Sequence, residues 1–186
     1  MSGDQVEYHT VDAPADLPSC DSIVQLCDAA GFCQNGVCFE IEGTPRFWIK
    51  YGFGITLGEA LTQDQVAKIV NADPATVVRV PEVYFVFLRE RCRYIVMQHI
   101  AGDTVASRQL RPGKYLKEDV SAVAAAVKQL IGIRAPAGTP PGHVGGGFIG
   151  HNFFLECKST SEYPTVGHLQ RQLNNVCFQI TFSTSH

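Results

Sequence analysis

The stretch that most constrains this chain is Phe47 to Ala60, FWIKYGFGITLGEA. Phe47, Trp48 and Ile49 are aromatic or β-branched, the side chains that suit a pleated, half-buried surface, and they predict a strand ending in Lys50. Gly52 and Gly54 then interrupt the pattern. From Leu57 the spacing is helical. At about 100° per residue, Glu59 falls on the face of Val66 and Val70, flanked by Ala67 and Ile69, with Asp64 and Lys68 on the other side. The pattern turns a carboxylate toward the interior, where an unpaired charge is costly. Lys50, at the end of the neighbouring strand, is the partner it points to. Two ordinary surface charges leave the same pattern, and on spacing alone that is the preferred reading. Thr62 and Gln65 form a T-x-x-Q capping box that would start the helix at Gln63. The longer helix is preferred because it keeps Glu59 on the stripe, and it ends near Asn71, before Asp73-Pro74.

With 186 residues the chain has length for one domain or two small lobes. A net charge of -3 gives no reason to expect nucleic acid. No apolar run is long enough for a transmembrane helix, and the acidic, polar start MSGDQVEYHTVDAPADLPSCD is unlike a signal peptide. Residues 1–21 read as a loose lead-in, and the expected location is the cytoplasm. Seven cysteines, an odd number, fit reduced thiols there. Cys20, Cys27, Cys33 and Cys38 lie close together, but none has C-x-x-C spacing and no histidine stands among them. A zinc site is therefore the weakest of the functional readings, and small apolar fillers the stronger one.

The remaining segments sort into strands and helices. Ser22 to Cys27 and Gly36 to Ile41 read as strands joined by a loop holding Gly31 and Gly36, a hairpin whose backbone N–H groups could cover phosphates. Val83 to Leu88 and Tyr94 to Met97 read as a second hairpin around an exposed RERC turn. With the Arg46–Lys50 strand this makes five strands and one helix between the third and fourth. Leu116, Val120, Val123, Val127, Leu130 and Ile131 mark a core helix. Arg134 to Asn152 is a Pro/Gly loop. Its literal G-x-G-x-x-G, Gly145 to Gly150, lacks the preceding strand and following helix that a dinucleotide fingerprint needs. Val166, Leu169, Leu173 and Val176 mark a last helix with Pro164 near its start. CFQITFSTSH then alternates like a strand.

Five strands with a helix after the third match the small lobe of a protein-kinase fold, of class α+β. A strand lysine paired with a helix glutamate is also the phosphate-gripping device of such enzymes. WIKYG at Lys50, GEALT at Glu59, RVPEVY from Arg79, YIVMQHIAGDTV from Tyr94, GHNFF and EYPTVGHLQRQLN stand in the order found in aminoglycoside phosphotransferase-like kinases of filamentous fungi, and the chain resembles that family from about Ser22 to Asn175. The resemblance implies a largely antiparallel small lobe over residues 22–100 and a partial helical large lobe over 101–186, opened by the helix from Tyr115. It implies that Lys50 contacts the α/β-phosphates of ATP and that Glu59 holds Lys50. Met97 would stand where the adenine pocket narrows, with the backbone C=O of Gln98 and N–H of Ile100 reading the base.

The family's catalytic loop, H-G-D-x-x-x-x-N, does not occur in these residues. Its Asp takes the substrate hydroxyl proton, and its Asn and a later Asp hold Mg²⁺. Asp103 and Asp119 lie in the wrong context to replace them, and His143, His151 and His168 read as structural or exposed. The expectation is a truncated, catalytically incompetent, pseudokinase-like chain that binds ATP weakly and has no Mg²⁺ site. The competing expectation is a kinase-like module that binds a protein partner through uncovered large-lobe helices.

Overall fold

The computed structural model describes residues 4–31, 36–108, 113–151, 154 and 156–183, the last helix beyond Asn174 by its backbone alone. The chain divides into two compact units between Ile133 and Arg134. The first contains β1 (Gln5–His9), α1 (Cys20–Ala30), β2 (Val37–Ile41), β3 (Thr44–Gly52), α2 (Leu57–Asn71), β4 (Val83–Arg89), β5 (Cys92–Gln98) and α3 (Lys117–Ile131). Its strands form one sheet in the order β1-β4-β5-β3-β2, with every neighbouring pair antiparallel. The class is α+β.

Two tight hairpins set the register. β2 and β3 are joined through Glu42 and Gly43, at φ 51° and 74°, and β4 and β5 through Glu90 and Arg91, at φ 49° and 70°. Left-handed backbone at both central residues gives a turn whose twist matches that of the strands. The alternation of β3 then divides its side chains between two faces. Phe47, Ile49 and Tyr51 join Phe85, Phe87, Tyr94 and Val96 under α1, which contributes Ile23 and Cys27. Phe87 and Tyr94 stack at 4.7 Å between ring centroids. On the other face Val83, Val86, Ile95 and Met97 pack with Ile55 and with Ala60 of α2.

The structure corrects four sequence expectations. Ser22 to Cys27 is helix, not strand: Ser19 caps α1 by accepting the Ser22 N–H at 3.2 Å, and Ile23 and Cys27, one turn apart, are its buried residues. The phosphate-covering hairpin across Gly31 and Gly36 is therefore replaced by a helix leading into β2, and the intervening residues 32–35 lie outside the described ones. The lead-in is not loose throughout, because Gln5–His9 is an edge strand on β4. Ion pairs of Arg89 with Asp4 and Arg93 with Glu7 hold it there. Five strands do occur, but the first comes from residues read as unstructured.

The other two corrections concern helices. The apolar stripe of α3 is not core: Val120 is 55% exposed, Val127 50% and Ile131 75%. The helix is held instead by its polar side, where Gln129 bonds residues 76 and 77. In the second unit α4 runs Val166–Ser183, so the expected terminal strand is a continuation of helix. Thr165 starts it, its hydroxyl accepting the His168 N–H at 3.3 Å. Ahead of α4, Gly150 and Lys158 form an isolated antiparallel bridge, and Ser159 Oγ accepts the Ile149 N–H at 2.9 Å. No helix among the described residues is long and apolar enough to cross a membrane.

Candidate functional site

Thr56 is the N-cap of α2 and accepts the Glu59 N–H at 3.1 Å. The longer helix is the one that forms. Thr62 lies inside it and donates to the Gly58 carbonyl at 2.7 Å rather than capping a later start. The buried residues of α2 are Ala60, Ala67 and Val70, whereas Ile69 is exposed, so the inward face is turned from the expected stripe and Glu59 lies at its margin. In the first helical turn the carboxylate also meets the positive end of the helix dipole.

Lys50 stands across from Ile95 in the centre of the sheet, on the face that α2 covers. Its ammonium donates to Glu59 Oε1, an ion pair between β3 and α2. The side chains keep 39% and 35% of their exposure. A pair that wet contributes about 0–1 kcal/mol to stability, so its main effect is to fix where the ammonium sits. Met97 is buried on the same face, opposite Trp48 and two residues along β5 from the level of Lys50, a step of roughly 7 Å. Gln98 ends β5 and donates its N–H to the Glu82 carbonyl at 2.8 Å. Ile100 lies beyond the strand with its side chain half exposed. The structure thus brings Lys50 and Glu59 into contact and sets Met97 on their face, while Gln98 and Ile100 follow at the sheet's end.

Cavities of about 580, 340 and 320 Å³ lie elsewhere, and Lys50, Glu59 and Met97 line none of them. The smallest is lined in part by Gln98 and Ile100, together with Arg79 and Glu82. The chemistry offered at Lys50 is an oriented, partly solvent-exposed cation, paired with Glu59, on a partly apolar sheet face. A divalent cation fits poorly, because Glu59, the carboxylate that meets Lys50, is engaged by it. Among the described residues no three His, Cys, Asp or Glu side chains gather as metal ligands. Asp119 pairs with Arg108 at 3.2 Å.

Among the described residues of the sheet unit the cysteines offer no activated nucleophile. Burial pushes the Cys27 thiol from 9.0 up to about 12 and, with the Asp4 carboxylate nearby, the Cys20 thiol up to about 11. Burial also raises Cys38 and Cys92. Thiols shifted upward stay protonated and unreactive. Cys33 and the side chain of Cys177 lie outside the described residues.

Two contributions escaped the sequence reading. Thr56 and Glu59 spell T-x-x-E, a legible capping signal that the competing T-x-x-Q obscured. Arg93 carried no signal. Its guanidinium grips Glu7 through two bonds of 2.6 and 3.1 Å and donates to the Ile55 carbonyl, tying β1, β5 and the approach to α2 together. No protein-family model, curated protein or solved structure matches the chain.

Proposed function

We propose that the first unit acts as a kinase-like nucleotide lobe in which Lys50 grips phosphate weakly, and that residues 1–186 by themselves transfer no phosphoryl group. The observation that supports this is the Lys50–Glu59 pair, which joins a central strand to the helix between β3 and β4. Protein kinases orient their phosphate-binding lysine in this way. By resemblance, Met97 narrows the adenine pocket, and the Gln98 carbonyl and Ile100 N–H read the base. Grip is weak because a lysine is one point charge on a flexible stem. Among the described residues no group of His, Cys, Asp or Glu side chains gathers beside it to hold a metal. A dissociation constant near 1 mM, about 4 kcal/mol of binding, is the expected scale.

Ligand-observed NMR or calorimetry with ATP, with and without Mg²⁺, tests the reading. Parent chain should bind near-millimolar ATP and Lys50→Ala should lose it, while a panel of hydroxyl acceptors stays unphosphorylated. ATP binding indifferent to Lys50→Ala would sink the phosphate-grip reading. Micromolar, Mg²⁺-dependent binding, or turnover that vanishes in Lys50→Ala, would sink the claims of weakness and inactivity. A second reading, a protein-interaction module without nucleotide function, draws support from the exposed apolar stripe of α3. It gains if ATP fails to bind at all.

A further inference from the structure

Between α2 and β4 the chain runs from Ala72 to Glu82 without regular structure, yet amide side chains hold it at several points. Asn71, the last residue of α2, accepts the Val80 N–H at 3.1 Å and donates to the Val80 carbonyl at 2.9 Å. Gln63 donates to the Pro81 carbonyl at 2.9 Å and reaches Met97 Sδ at 3.3 Å. From the other side Gln129 of α3 accepts the Val77 N–H at 3.1 Å and donates to Thr76 Oγ1 at 2.8 Å. The Thr76 hydroxyl in turn accepts the Val78 N–H at 3.1 Å and donates to the Val78 carbonyl at 3.0 Å. All of these residues belong to the first unit.

We propose that this segment is a positioning clamp, in which Gln129 fixes the C-terminal end of α2 and thereby sets Glu59 against Lys50. The inference rests on the nucleotide-lobe reading, and it makes Gln129 a positioning residue for phosphate binding at Lys50. The mechanical link is short. A 15-residue helix is a stiff rod on the scale of about 20 Å, so a tilt at Asn71 is felt at Glu59. The polar contacts are directional, and Val120, Val123, Val127, Leu130 and Ile131 of α3 are exposed, so amide geometry fixes the seat of α3 at Thr76 and Val77, beside Ala125 and Ile133, which line a cavity with Ile69 and Val70 of α2. Gln63 carries the same segment to Met97, at the far side of the Lys50 face.

The test is a double-mutant cycle in the full chain with ATP as the probe. Gln129→Ala and Thr76→Val are made singly and together, with Lys50→Ala as the control for site binding and thermal melts as the control for folding. Each single change should raise the ATP dissociation constant roughly fivefold, and the double change should do no more than either alone. Gln129→Glu keeps an acceptor for the Val77 N–H and should recover part of the loss. Hydrogen exchange at Val77 should quicken in Gln129→Ala and be slowed again in Gln129→Glu. Lost protection at Val77 with an unchanged dissociation constant overturns the clamp, as does an additive double variant. If parent and Lys50→Ala bind ATP alike, the nucleotide-lobe reading fails first and takes the proposed role of Gln129 with it.

Discussion

Gly36, one residue before β2, is kept small by Trp48. A Cβ at Gly36 would stand 2.6 Å from Trp48 Nε1 and 2.8 Å from the Ile49 carbonyl oxygen. Ordinary contact begins at 3.4 Å, so the methyl of Gly36→Ala is short of room by about 0.8 and 0.6 Å. The indole is 37% exposed and can swing outward. The Ile49 carbonyl cannot follow, because Ile49 is held across from Val37 on one side and Val96 on the other. Overpacking of this kind costs about 1–3 kcal/mol. For a chain of this size that lowers the melting temperature by roughly 3–10 °C. Trp48 is the one tryptophan in the sequence, so its emission reports the displaced ring without ambiguity. Gly31→Ala is the matched control. Gly31 sits at φ 72° and ψ 171°, backbone that is almost reserved for glycine, with nothing within 4 Å of a Cβ, so its loss of about 1–3 kcal/mol comes from backbone conformation alone. That variant should melt early with the parent's emission. A Gly36→Ala chain that melts and emits like the parent would refute the steric account, as would an equal emission change in Gly31→Ala.

The hairpin between β4 and β5 places Glu90 and Arg91, both exposed, in left-handed backbone. Replacing them by Asn and Gly should stabilise the chain by about 1 kcal/mol, read as a higher urea midpoint; an unchanged or lower midpoint counts against the turn assignment. The raised thiols predict alkaline sensitivity. Unfolded chains lose the Cys27 proton near pH 9 while the fold retains it up to about 12. Stability from this group is therefore complete below pH 9 and declines as pH rises, by about 1.4 kcal/mol for each pH unit. Urea midpoints taken between about pH 8 and about pH 11 should fall more steeply in the parent than in Cys27→Ala, and parallel slopes would contradict the assignment.

The sheet was legible where strands are short, apolar and bounded by turns. Val83 to Leu88 and Tyr94 to Met97 reveal themselves because both faces of a central strand are buried, so nearly every side chain is apolar. The Lys50–Glu59 pair was only half legible: the expected stripe turned Glu59 inward, whereas the buried face runs through Ala60, Ala67 and Val70, and spacing alone fits two surface charges as well. Ser22 to Cys27 misled because four apolar residues in six fit either period, and the deciding Ser19 cap lies outside the run. CFQITF misled in the same way: Ile180 also continues the helical series of Leu169, Leu173 and Val176. β1 was illegible for a different reason. Its half-polar sequence is placed by Arg89 and Arg93, more than 80 residues away, and no local pattern records such partners. The exposure of α3 is likewise invisible to periodicity, which shows that a helix has an apolar side but not whether anything covers it.

The pairing of β1 with β4 also fixes an order of events during synthesis. Gln5 faces Leu88, so β1 must wait for about 80 further residues before its partner is made. At 5–20 residues per second that delay is about 4–16 s. Meanwhile β2 and β3, joined by two residues, can close as soon as they emerge. Of the five strands, β1 therefore waits longest between its own synthesis and that of its partner. Charge suits it to the wait. Glu7 alternates with Val6 and Tyr8, which makes the unpaired segment a poor template for neighbouring chains until Arg93 arrives to claim it.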